Sequence, residues 1–115
     1  MPYDEQNIFA RILRGEIPCK KVKESAHALA FEDANPQAPI HVLVIPKGAY
    51  ESAHDFAQNA SPEEIVDFVR ILGDLCAELG IEDDGYRLLA NTGRHGHQEV
   101  PHFHIHLFGG RDLRG

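Results

Sequence analysis

Apolar residues recur at helical spacing at Ile8, Phe9, Ile12 and Leu13, and Gly15 follows where a short helix would close. Glu16-Ile17-Pro18 then leaves in an extended form, because a residue before proline avoids the helical region. Lys20 to Glu24 reads as a polar edge strand and Ala28 to Phe31 as a second strand. Asn35-Pro36-Gln37-Ala38-Pro39 is turn-forming. His41 to Ile45 is β-branched and apolar, which predicts a central strand stopped by Pro46. Tyr50 to Gln58 is ambiguous and fits a short helix or a loop.

The clearest helix starts at Ser61. Ser61 caps it, Pro62 suits the first turn and Glu64 completes a capping box. Ile65, Phe68, Val69, Leu72, Leu75, Cys76 and Leu79 form one apolar face, and Gly80 ends it. Gly85 to Asn91 reads as a strand, Asn91 to Gln98 as a Gly- and His-rich loop, and Val100 to Phe108 as a last strand broken by Gly109-Gly110. Strands contiguous in sequence around one long helix predict an α+β fold with an antiparallel meander sheet. No repeat, low-complexity tract or internal linker interrupts residues 1–115, so a single domain is expected.

Composition narrows the function classes. The chain has 115 residues, 43% hydrophobic and 25% charged, enough for one modest core that a second copy would bury further. A net charge of −7 repels a nucleic-acid polymer, but a single nucleotide needs only a local nest of donors. Cys19 and Cys76 are far apart and form no C-x-x-C pattern, which reads as reduced thiols in a cytoplasmic protein. No secretory signal pattern and no membrane-span run is visible.

Eight histidines is unusual for this length, and five of them lie between His95 and His106. On a strand, side chains alternate faces, so His102, His104 and His106 share one face while Phe103, Ile105 and Leu107 point to the core. Three imidazoles on an exposed strand add nothing obvious to packing. Two uses compete. Neighbouring histidines on a strand can share a zinc, but the outer pair stands roughly 13 Å apart at about 3.3 Å per residue, so one ion would rarely take all three. Phosphorus chemistry suits a row better: the central nitrogen attacks, and its neighbours hydrogen-bond the phosphoryl oxygens. Neutral imidazole needs no prior deprotonation to attack. Gly93 and Gly96 precede the row and could bring backbone amides close to an anion.

His102-Phe103-His104-Ile105-His106-Leu107-Phe108 resembles the His-φ-His-φ-His-φ-φ signature of the histidine-triad superfamily, φ being apolar. The likeness covers almost the whole chain and points to its Hint branch. Ile8-Phe9-x-x-Ile12-x-x-Gly15-Glu16-Ile17-Pro18, the block from Phe31 to Lys47 and the final Gly109-Gly110-Arg111 carry it.

The resemblance implies roles. His104 would become nucleotidylated, His102 and His106 would orient it and contact phosphate, and His41 would assist through a hydrogen-bond relay. Asp33 would bind the ribose hydroxyls. Ile8, Phe9, Ile12, Ile17 and Phe31 would wall a purine pocket, with Asn91, Gln98, Glu99 and Val100 beside the phosphate. The implied fold is a homodimer with one ten-stranded sheet, each copy carrying one long and one short helix. The implied activity is hydrolysis of purine nucleoside phosphoramidates, including adenylylated lysine or aminoacyl-adenylate, without metal or cofactor. A regulatory nucleotide-binding module and a dinucleoside polyphosphate hydrolase are the alternatives. Glu99 stands where many relatives carry serine, and His97 where glycine is frequent, so leaving-group preference is open. Asn7 and Ala10 replace the cysteine pair with which some relatives bind structural zinc.

Overall fold

A computed structural model describes residues 2–114. Three helices and five strands follow one another as α1 (Ile8–Leu13), β1 (Lys21–Glu24), β2 (Ala28–Glu32), β3 (Ile40–Pro46), α2 (Ala53–Asn59), α3 (Pro62–Glu78), β4 (Arg87–Leu89) and β5 (Ile105–Gly109). All strand pairs are antiparallel, in the order β1-β2-β3-β5-β4. The first three strands form the expected meander. The chain then crosses through α2 and α3, and β5 inserts between β3 and the edge strand β4.

The alternation of side chains on β2, β3 and β5 divides the interior in two. Ala28, Ala30, Val42, Val44 and Leu107 face α3 and pack with Phe56, Phe68, Phe103, Ile71 and Leu75. Leu29, Phe31, Leu43 and Ile45 face the other way and pack with Phe9 of α1. This second, thinner layer is the one that holds the site. The short α1 is fixed by Asn7, whose side chain accepts from Ala10 N, and it ends at Gly15 with φ +79°. The α3 capping box between Ser61 and Glu64 forms as expected.

One ambiguity is resolved and two strand bounds change. The ambiguous stretch after Tyr50 is a helix, α2, capped by Ser52. The strand expected over Gly85 to Asn91 shortens to Arg87–Leu89, all three residues exposed on the sheet edge. The last strand begins at Ile105 rather than Val100. Pro101 has no amide hydrogen to offer a ladder, and the next amides are spent elsewhere: His102 N donates to Val100 O, and Phe103 N to Tyr50 O at 2.7 Å. No helix among the described residues is long and apolar enough to cross a membrane.

Candidate active site

Between α1 and the thinner face of the sheet lies a cavity of about 1130 Å³. Its apolar lining includes Ile8, Phe9, Ile12, Ile17, Phe31 and Leu43, and its polar lining includes Asp33, His41, His104 and His106. Asn91, Glu99 and Val100 complete the part of the wall that precedes the histidine row. Phe9 meets Phe31 and His104 edge-on, with ring centroids at 5.6 and 5.0 Å, so α1 braces both the apolar wall and the imidazole.

Hydrogen bonds fix the tautomers. Nε2 of His102 lies 2.8 Å from Pro46 O, which can only accept, so this nitrogen carries the proton. Nδ1 of His102 then holds a lone pair, and the Tyr3 hydroxyl donates to it. The carbonyl of His102 in turn accepts Nδ1–H of His104 at 2.7 Å. The proton of His104 is therefore on Nδ1, and the lone pair of its Nε2 is free.

A second chain sets His106. Gln37 N donates to His41 Nδ1 at 3.0 Å, so the His41 proton sits on Nε2. That proton points at His106 Nδ1, 2.9 Å away, with Asp33 Oδ2 a second acceptor at 3.4 Å. The remaining proton of His106 is thus on Nε2. Arg111 steadies the turn that supplies this amide, donating to Gln37 O at 3.2 Å. Among the described residues no buried side-chain nitrogen or oxygen lacks a partner. The unpartnered Nε2 atoms of His104 and His106 therefore open to the cavity, one as a nucleophile and the other as a donor.

Burial disfavours the charged forms of His102, His106 and His41. It pushes His102 down to about 4 against a weaker opposing effect of the Pro46 carbonyl, and His106 to about 4, helped by the nearby imidazoles of His104 and His41. His41 is lowered for the same reason, although Asp33 pulls it up.

Asp33, His41 and His106 present ligand atoms within 4.8 Å of one another, a His-His-carboxylate set of the kind that holds zinc. The tautomers oppose that use. A metal on His41 Nε2 would send its proton to Nδ1, against the Gln37 amide hydrogen. The geometry suits a proton relay, and the three groups are already satisfied as one.

Of the residues to which the resemblance assigned a role, all but two line the cavity. His102 is fully buried and does not line the cavity, so it supports His104 without reaching a ligand; it is not the exposed strand residue the alternation predicted. Gln98 also stays out of the cavity, its amide spent on Glu51 O, Val100 O and Gly93 N. The amides of Gly93 and Gly96 close the loop on itself, Gly96 N donating to Thr92 O, and so do not form an anion nest. Gly96 is glycine because a Cβ there would stand 2.5 Å from Thr92 O. His97, which stands where glycine is frequent in relatives, lines the cavity with φ +56°. Tyr3 and Asn7 were missed: Asn7 carried a cap signal just before the Ile8 helix, but nothing near Tyr3 marks its partner.

A cavity framed by a short helix and a sheet, with a row of tautomer-locked imidazoles in its floor, defines a histidine-triad protein. The chain belongs to the HIT domain family, which matches residues 14–113. It is 58% identical to a HIT-like protein of Azospirillum brasilense over 96% of this chain and 91% of that relative. It is 42% identical to the purine nucleoside phosphoramidase of Escherichia coli K12, over 95% and 91%. A histidine triad protein from Clostridium difficile superposes with a TM-score of 0.85 at 36% identity, covering 100% of this chain and 98% of that one. A HIT family hydrolase from Legionella pneumophila gives 0.85 at 38% identity, over 93% and 95%.

Proposed function

We propose that this protein hydrolyses purine nucleoside phosphoramidates through a nucleotidyl intermediate on His104. The observation that carries the reading is the unprotonated Nε2 of His104, open to the cavity beside the Nε2–H of His106. The purine lies among Ile8, Phe9, Ile12, Ile17 and Phe31, and Asp33 takes the ribose hydroxyls. Asn91, Glu99 and Val100 flank the phosphate. His104 Nε2 attacks the α-phosphorus while the bond from phosphorus to the amine nitrogen breaks, its electron pair leaving with the amine. The amine takes one proton from solvent. His106 donates a hydrogen bond to the charge that develops, and the His102 carbonyl supports the cationic ring through Nδ1–H. Water then attacks phosphorus, returns that proton and frees His104, so one water is consumed per cycle.

The purine nucleoside phosphoramidase among the relatives supports this substrate class. The test is turnover of a fluorogenic adenosine phosphoramidate with acid trapping of labelled His104. Turnover with no labelled histidine overturns the covalent route, and nucleotide binding without turnover leaves the regulatory binding module in its place.

We further propose a two-fold homodimer, in which the exposed Val66 and Val69 of α3 and the free edge of β4 are covered. Light scattering decides between dimer and monomer. The two free cysteines, Cys19 and Cys76, fit the cytoplasm as the compartment.

A further inference from the structure

We propose that Tyr3, held by Asn7, is a positioning residue for the nucleophile, acting through His102; this rests on His104 being the attacking group. Tyr3 and His102 are 99 positions apart, yet the hydroxyl bonds His102 Nδ1 and the two rings meet edge-on at 5.7 Å. Every proton in the chain has one place. Asn7 Oδ1 accepts from Ala10 N at 2.9 Å, which turns Nδ2 toward Tyr3 Oη at 2.9 Å and Asp4 O at 2.7 Å. The Tyr3 oxygen accepts from Asn7, so its hydrogen goes to His102 Nδ1, as the Nε2–H to Pro46 O requires. The far end of the chain is the His102 carbonyl, which holds Nδ1–H of His104.

Tyr3, Asn7 and His102 do not line the cavity, so their effect must pass through the ring of His104. His102 is fully buried, and without the hydroxyl its Nδ1 would be an unsatisfied acceptor in an apolar shell. The ring would then swing to find a donor, carrying with it the carbonyl that aims His104. Burial also raises the Tyr3 phenol, so the donor keeps its proton at neutral pH.

Tyr3→Phe in the full chain removes one oxygen and little packing. The expected result is a rate of His104 nucleotidylation about tenfold lower at saturating substrate, because small misplacements of a reacting group cost rate rather than binding. AMP affinity stays unchanged, and the ¹⁵N resonance of His102 Nδ1 moves toward that of a free lone pair. Asn7→Asp keeps the cap oxygen but gives the Tyr3 proton a competing carboxylate, and should move rate and resonance in the same direction. A wild-type nucleotidylation rate with an unmoved His102 resonance overturns the proposal. Parallel loss of AMP affinity and thermal stability also overturns it, since Tyr3 would then be a structural residue only. If wild type never labels His104, the reaction itself fails, while the His102 resonance still decides the Tyr3 contact: moved, it stands; unmoved, it falls.

Discussion

His41 Nε2 lies 2.9 Å from His106 Nδ1, although the residues are 65 positions apart. The sheet register places them diagonally: His41 opposes Phe108 and His106 opposes Leu43 on neighbouring strands. Both rings project from the face covered by α1 rather than α3, which puts the relay at the cavity. His41→Ala removes the donor that holds His106 in its Nε2–H form. The expected effect is a kcat lower by about tenfold to a hundredfold with KM little changed. Steady-state kinetics on the phosphoramidate check it, and a KM rise without a kcat fall would mean that His41 serves binding alone.

His104→Gly removes the nucleophile. Turnover should drop by at least about a thousandfold, while AMP binding and the unfolding midpoint stay near wild type. Free imidazole added to this variant should restore part of the rate, because the missing ring leaves its space beside the phosphorus. Undiminished hydrolysis by the variant would remove His104 from the chemistry.

The buried histidines make stability pH-dependent with a definite sign. His102 and His106 stand at about 4 in the folded chain and return to the ordinary 6.5 on unfolding. As pH falls, the unfolded chain binds their protons first. Their contribution is full above 6.5, declines between 6.5 and 4 and is gone below. Glu24, held at about 2 by hydrogen bonds from Lys47 and Lys21, loses its contribution in a lower window, from 4.5 downward. Urea unfolding across the upper window should show a midpoint that falls with acid. A flat profile there would mean that these two rings are not desolvated.

Metal removal should leave activity intact. His41 Nδ1 accepts the Gln37 amide hydrogen, so a metal on Nε2 would cost a backbone hydrogen bond. Protein dialysed against chelator is expected to match untreated protein in rate, and zinc-restored activity would overturn the relay assignment.

Phe68 tests the other layer. It is buried on the α3 side of the sheet against Phe56 and Phe103. Phe68→Ala should cost about 3–5 kcal/mol of stability. The rate per folded molecule should hold, because the cavity lies across the sheet. Calorimetry and active-site titration separate the two effects.

Much of this was legible in the chain because it is local. The period of Ile65 to Leu79, the Ser61–Glu64 box and the alternation of Phe103, Ile105 and Leu107 with the histidines depend on residues a few positions apart, and the structure keeps all three but for Val69, which the period put on the buried face and which is exposed. The His-φ-His-φ-His spacing likewise put His104 and His106 on the correct face. Tertiary structure alone decided what each imidazole does. His102 and His104 are the same residue type two positions apart, yet one is sealed between Tyr3 and Pro46 while the other opens to the cavity. Proton placement depends on acceptors brought from distant strands and from the N-terminal segment, and no local pattern encodes those. The same reason hid the start of β5: the expected strand ran through Pro101 from Val100, and only the nearness of Tyr50 O shows where the Phe103 amide goes instead.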